Sequence, residues 1–115
     1  MIVRIAEIEI LPDRVGAYTA LLSEEIEASV RLEAGVLFLF AVSVKGSPNS
    51  VRVIEGYADQ AAYEAHLTMP HFLRYKQGSA DMVKSLRLIE TDPIALKAKG
   101  RFSDRGTAAG GRGAP

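Results

Sequence analysis

The sequence predicts one α+β domain whose elements run β-α-β-β-α-β. Three observations carry this. The chain has 115 residues, room for a single domain, and 48% of them are hydrophobic, enough for a core. An amphipathic helical repeat lies early in the chain between runs rich in β-branched residues. A second helical stretch, interrupted by a proline, separates the third strand-like run from a fourth.

Ile2 to Leu11 reads as the first strand, with Arg4, Glu7 and Glu9 breaking an apolar run that Pro12 closes. Asp13 is the expected cap of the first helix. Val15, Tyr18, Leu22, Ile26 and Val30 follow at the helical period, and Gly35 ends the helix after Ala34. The acids Glu24, Glu25 and Glu27, with Arg31, read as its solvated face.

Val36 to Lys45 is apolar at odd and even positions alike, so as a strand it needs cover on both faces. One helical layer covers one face. The other is left for a second copy of the chain, and a homodimer is expected.

Gly46-Ser47-Pro48-Asn49-Ser50 supplies turn chemistry before a third strand, Val51 to Tyr57. Asp59 caps a short helix from Gln60 to Leu67; after a bend at Met69-Pro70 a second short helix carries His71, Phe72 and Tyr75. Lys84 to Thr91 makes the last strand. Two split β-α-β units of this kind give a ferredoxin-like fold, a four-stranded antiparallel sheet with its helices on one side.

The domain is expected over residues 1–99. From Gly100 to Pro115 five of the chain's ten glycines accumulate, and the segment reads as a flexible tail. Asp92 to Leu96 is an expected arm, because Ile94 and Leu96 follow the last strand directly.

Charge and composition exclude several function classes. Fourteen basic residues balance fourteen acidic ones, so no overall field favours nucleic acid or an acidic membrane. The chain has no cysteine, hence no disulfide, thiolate nucleophile or cysteine-bound metal. No apolar stretch approaches the roughly 20 residues of a membrane span, and Met1 to Leu11 lacks the pattern of a signal peptide. A soluble, cytoplasmic protein with neither nucleic-acid nor membrane partner is expected. Gly106 to Gly113 has no strand before it and no helix after it, so it is not a dinucleotide loop.

Chemistry must come from few residues. His66 and His71 are the only histidines, and any imidazole acid–base step uses one of them. Five residues apart, they would stand about 140° apart on a continuous helix, which argues against a two-histidine zinc face. The plainer reading of His66 is a place on the helix surface or a single structural hydrogen bond, and of His71 a polar first-turn residue. Glu55 interrupts the face of Val51, Val53 and Tyr57, where a carboxylate needs a partner. A histidine would serve, and so would a salt bridge to Arg4 or Arg87. Phe38 and Phe40 share a sheet face, where they would wall a pocket or pack the core.

The run Glu55-Gly56-Tyr57 leading to Ala62-Tyr63-Glu64-Ala65-His66, then Thr68-Met69-Pro70-His71-Phe72, resembles the signature region of the antibiotic-biosynthesis monooxygenase family. The opening, a strand, Pro-Asp and a long helix ending before a glycine, is similar too, so the likeness spans residues 1–96. The resemblance implies a dimeric α+β barrel with a pocket between each sheet and its helices. It further implies oxidation of a small quinol-like or electron-rich aromatic compound by dioxygen, with no metal and no organic cofactor. On that model His66 handles the proton or orients the substrate, with Glu55 in support; Tyr57, His71, Phe72, Phe38 and Phe40 contact the substrate. Another branch of the superfamily, which acts on a phosphorylated autoinducer-2-like ketone, is resembled at least as closely by His66-x-Thr68-x-Pro70-His71-Phe72. There Arg74, Lys76 or Lys84 would meet a phosphate. A third possibility is a non-catalytic dimeric binding or stress-response module, with a closed or apolar pocket and His66 turned to solvent.

Overall fold

A computed structural model describes residues 1–100, so the expected tail lies, apart from Gly100, outside the described residues. The elements are β1 (Ile2–Ile10), α1 (Val15–Leu32), β2 (Val36–Val44), β3 (Ser47–Tyr57), α2 (Gln60–His66), α3 (Pro70–Ser79) and β4 (Val83–Glu90). The strands form one antiparallel sheet in the order β2-β3-β1-β4. This is the expected α+β, ferredoxin-like arrangement.

Local chemistry departs from expectation at two places and meets it at a third. Asp13 does not cap α1; it lies in a single 3-10 turn, Pro12–Arg14, that leads into the helix. The β2–β3 hairpin turns tightly at Lys45-Gly46, where Gly46 takes φ +85°, and Ser47 to Ser50 are already strand. Asp59 does cap α2, accepting from the Ala62 N–H at 2.8 Å.

The alternation of β1 and β3 decides what each sheet face carries. Ala6, Ile8 and Ile10 with Val51 and Val53 bury against Tyr18 and Leu22 of α1 and Met82, forming the main core. Val36, Leu39 and Tyr57 make a second cluster under α2. Close approach fixes α2 there, since a Cβ on Gly35 would collide with Ala62.

The other sheet face has no helix. Phe38 pairs with Gly56 and Phe40 with Ile54 across β2 and β3, and Phe40, Val42 and Val44 remain 41%, 56% and 42% exposed. The two-sided apolar character of β2 is thus real. No described helix is long and apolar enough to cross a membrane. In the expected arm, Ile94 is fully exposed and Leu96 is partly so.

Candidate functional site

The buried stripe of α1 runs through Tyr18, Leu22, Glu25 and Ser29, at spacings of four, three and four residues. Glu33, the residue that ends the helix, prolongs it. The reading of Glu25 as part of a solvated face is therefore corrected: Glu25 is only 6% exposed, and Val30, expected inside, is 48% exposed. Glu24 does lie outside, in a surface ion pair with Arg74.

Buried acids need donors, and the next helices supply them. Ser29 donates to Glu25 Oε2 at 2.7 Å, one helical turn away. His66, the last residue of α2, places Nε2 at 3.3 Å from the same oxygen and Nδ1 at 3.0 Å from Glu33 Oε2. His71, at the second position of α3, brings Nε2 to 2.6 Å from Glu33 Oε2. Both imidazoles and both carboxylates are buried.

On one continuous helix the two histidines would point apart. The break between α2 and α3 brings them together, with ring centroids 6.4 Å apart.

A cavity of about 300 Å³ lies between sheet and helices in front of this cluster. Its polar wall includes Glu25, Glu55, Tyr57, His66, Arg4 and Lys76, and its apolar wall is largely Leu22, Leu39, Val53, Phe72, Leu86 and Leu88. A larger hollow of about 470 Å³ shares Ile8, Tyr75, Lys76 and Leu86 with it but holds neither histidine. Convergent polar groups in an apolar setting make the smaller cavity the candidate site.

Glu55 and Tyr57 both point into it, and the Tyr57 hydroxyl donates to Glu55 Oε1 at 2.9 Å. The salt bridge considered from Glu55 to Arg4 or Arg87 does not form. Arg4 pairs with Glu90 at 3.2 Å and lies over the Tyr63 ring, while Arg87 pairs with Glu7.

Electrostatics follow from burial. Burial pushes the Glu25 carboxyl above the ordinary carboxylate range, against the opposing pull of the Ser29 hydrogen bond and of His66. Burial likewise raises Glu55, against the Tyr57 hydrogen bond, His66 and Arg4. The Tyr57 phenol is driven far up by burial and by the neighbouring Glu55 charge.

Of the residues expected at the site, His66, Glu55, Tyr57 and Phe72 line the cavity. The Phe72 ring stands 5.0 Å from that of His66 and helps hold it. His71 lies behind His66, on Glu33, rather than on the cavity wall. Phe38 and Phe40 stack on each other at 5.3 Å on the opposite face of the sheet, so they do not wall this cavity. Glu25 and Glu33 were not foreseen; their signal is the apolar stripe Tyr18-Leu22 continued by polar residues at helical spacing.

Glu33, His66 and His71 each offer one ligand atom within 4.8 Å of the others, a possible metal set among the described residues. Two ligands of one zinc ion, each about 2.0–2.2 Å from it, stand roughly 3.3 Å apart. The His71–Glu33 separation of 2.6 Å is instead that of a charge-assisted donor and acceptor. The geometry is that of a hydrogen-bonded cluster.

Residues 1–78 match the family model for antibiotic biosynthesis monooxygenases. A solved protein of Bacteroides thetaiotaomicron, carrying that family's name, is 49% identical with a TM-score of 0.82, over 87% of this chain and 95% of its own. Another so named, from Nitrosomonas europaea, is 20% identical with a TM-score of 0.78 over 83% and 100%, a likeness of fold. No curated protein matches the chain. The signature strand and helices, the cavity they enclose and the family match agree, and the chain belongs to the antibiotic biosynthesis monooxygenase family.

Proposed function

We propose that this protein is a cofactor-independent monooxygenase that oxidises a small quinol-like or electron-rich aromatic compound with dioxygen. The observation that carries this reading is His66 Nε2 at the wall of a largely apolar cavity, in a chain of this family. Substrates of this class reduce oxygen themselves once deprotonated. The protein then needs a base, a shaped pocket and exclusion of water.

For an anthrone-type ring the overall change is balanced: one ring methylene and one dioxygen become one ring carbonyl and one water. His66 Nε2 removes a C–H proton, the carbanion transfers electrons to dioxygen and joins it as a peroxide anion, and the imidazolium returns the proton to give the hydroperoxide. The second C–H proton then leaves while the O–O bond breaks; one oxygen stays as the carbonyl and the other departs as water. Glu55, held by Tyr57, and Phe72 orient the ring. We place the enzyme in the cytoplasm as a homodimer whose subunits join by the bare face of β2 and β3; the exposed Phe40, Val42 and Val44 support this.

Oxygen consumption with a hydroquinone and anthrone panel in metal-free buffer tests the proposal. A rate unchanged by His66→Ala would remove His66 from the mechanism.

A second reading is cofactor-free isomerisation of a small phosphorylated ketone. It is favoured by one observation: Glu25 and Glu55, both shifted towards the neutral acid, flank an imidazole in one cavity, as proton transfer to and from a carbonyl compound requires. Of the three cations considered for a phosphate, Lys76 lines the cavity, whereas Arg74 and Lys84 do not. Turnover under strict anaerobiosis separates this reading from the first. The non-catalytic alternative carries two marks, a closed or apolar pocket and His66 turned to solvent; the cavity is largely apolar, and His66 is 3% exposed.

A further inference from the structure

Both histidines of the chain end on the same oxygen of Glu33. That carboxylate is in an unfavourable place. It follows the last turn of an 18-residue helix, at the negative end of the helix dipole, and it is buried. Two imidazole N–H groups offset both costs, one from the end of α2 and one from the start of α3.

The two nitrogens of His66 are thereby made unequal. Nδ1 faces Glu33, away from the cavity. Nε2 stands 3.3 Å from Oε2 of the cavity-lining Glu25, a longer contact than the 3.0 Å from Nδ1 to Glu33, and burial biases the Glu25 carboxyl towards its neutral form. Between two such contacts the nitrogen with the nearer carboxylate keeps the proton, which leaves the other with the lone pair.

We propose that Glu33 is a positioning residue that holds His66 in the Nδ1–H tautomer, with His71 as the second donor that keeps the Glu33 carboxylate in place, so that Nε2 is the proton acceptor presented to the cavity. The remaining groups around the His66 ring fit this role. From β3, Tyr57 packs on it at 5.4 Å between centroids and Glu55 shares its cavity; from α3, Phe72 packs at 5.0 Å. These two aromatics pack on the ring, and with its orientation held the tautomer chosen by Glu33 sets which nitrogen the substrate meets. The logic is that of a carboxylate orienting a catalytic imidazole from behind. Its catalytic half rests on His66 acting as a base; its positioning half does not.

The tautomer can be read directly. With two histidines, the full chain labelled with nitrogen-15 gives four ring nitrogens in long-range proton–nitrogen correlation spectra. In the wild-type protein at neutral pH, His66 should show a protonated Nδ1 and a bare Nε2. A proton on Nε2, with or without one on Nδ1, overturns the proposal, and this needs no variant.

In Glu33→Leu both imidazoles lose the oxygen they share, and His66 keeps only Glu25 as a carboxyl partner. The His66 signal should move towards the Nε2–H form, and kcat on a responding quinol should fall about a hundredfold or more with little change in KM. A Glu33→Leu protein that is folded and keeps the wild-type tautomer also overturns the proposal. Absence of turnover across the panel, with the tautomer as expected, would sink the oxygenase reading and leave the positioning role standing.

Discussion

The ring of Phe38 lies flat over Gly56, its cross-strand partner, and fills the space a side chain there would occupy. Gly56 sits between Glu55 and Tyr57, which point the other way into the cavity. The bare face and the site therefore share one stretch of strand. Gly56→Ala should force Phe38 aside and cost about 1–3 kcal/mol of stability, measured by urea unfolding. A change within a few tenths of a kcal/mol would mean that the ring moves freely.

His66→Ala should lower oxygenation by roughly 10²- to 10⁴-fold, the usual worth of a positioned general base. It also strips a partner from two buried acids. Unfolding free energy should drop by about 1–3 kcal/mol, which denaturation of the same variant would detect.

The raised carboxyls set a pH dependence. Glu25 and Glu55 hold protons in the folded state at pH values where the unfolded chain, near the ordinary value of 4.5, has released them. The folded protein binds more protons, so stability falls as pH rises from about 4.5 through the raised values. The contribution is complete below that window and lost above it. Glu25→Gln with Glu55→Gln should flatten the fall in Tm with pH; an unchanged slope in thermal scans would assign it elsewhere.

Phe40→Glu puts a charge in the middle of the bare face. In a two-fold symmetric dimer each substituted side chain meets the partner's copy of the same surface, so the penalty is counted twice. Sedimentation should show a dimer for the wild-type chain and a monomer for the variant. A wild-type monomer at micromolar concentration would contradict the proposed assembly.

Most of the architecture was legible because it follows from short-range patterns. The two-sided apolar run of β2, the turn residues around Gly46 and the cap at Asp59 each act within a few positions. His66, Glu55, Tyr57 and Phe72 reached the site for a similar reason, since they belong to one continuous strand-to-helix stretch. Glu25 and Glu33 did not, because what makes them internal is a pair of histidines more than thirty residues further on. Acids clustered with Glu24 and Glu27 resemble a wet surface until their partners are known.

Phe38 and Phe40 illustrate a different loss. A register shift between Val36 and Phe38 sets which side of the sheet they take, and a slip of one residue exchanges the two faces. Pattern alone does not choose between those outcomes. Likewise the bend before Pro70 is legible but its angle is not, so the meeting of His66 and His71 was not foreseen.

One wall of the cavity is formed by β4. Leu86 and Leu88 line it from an edge strand, yet they are 45% and 48% exposed. The cavity thus meets solvent beside two apolar side chains of the sheet edge, while its other side rests on three helices tied together at Glu33.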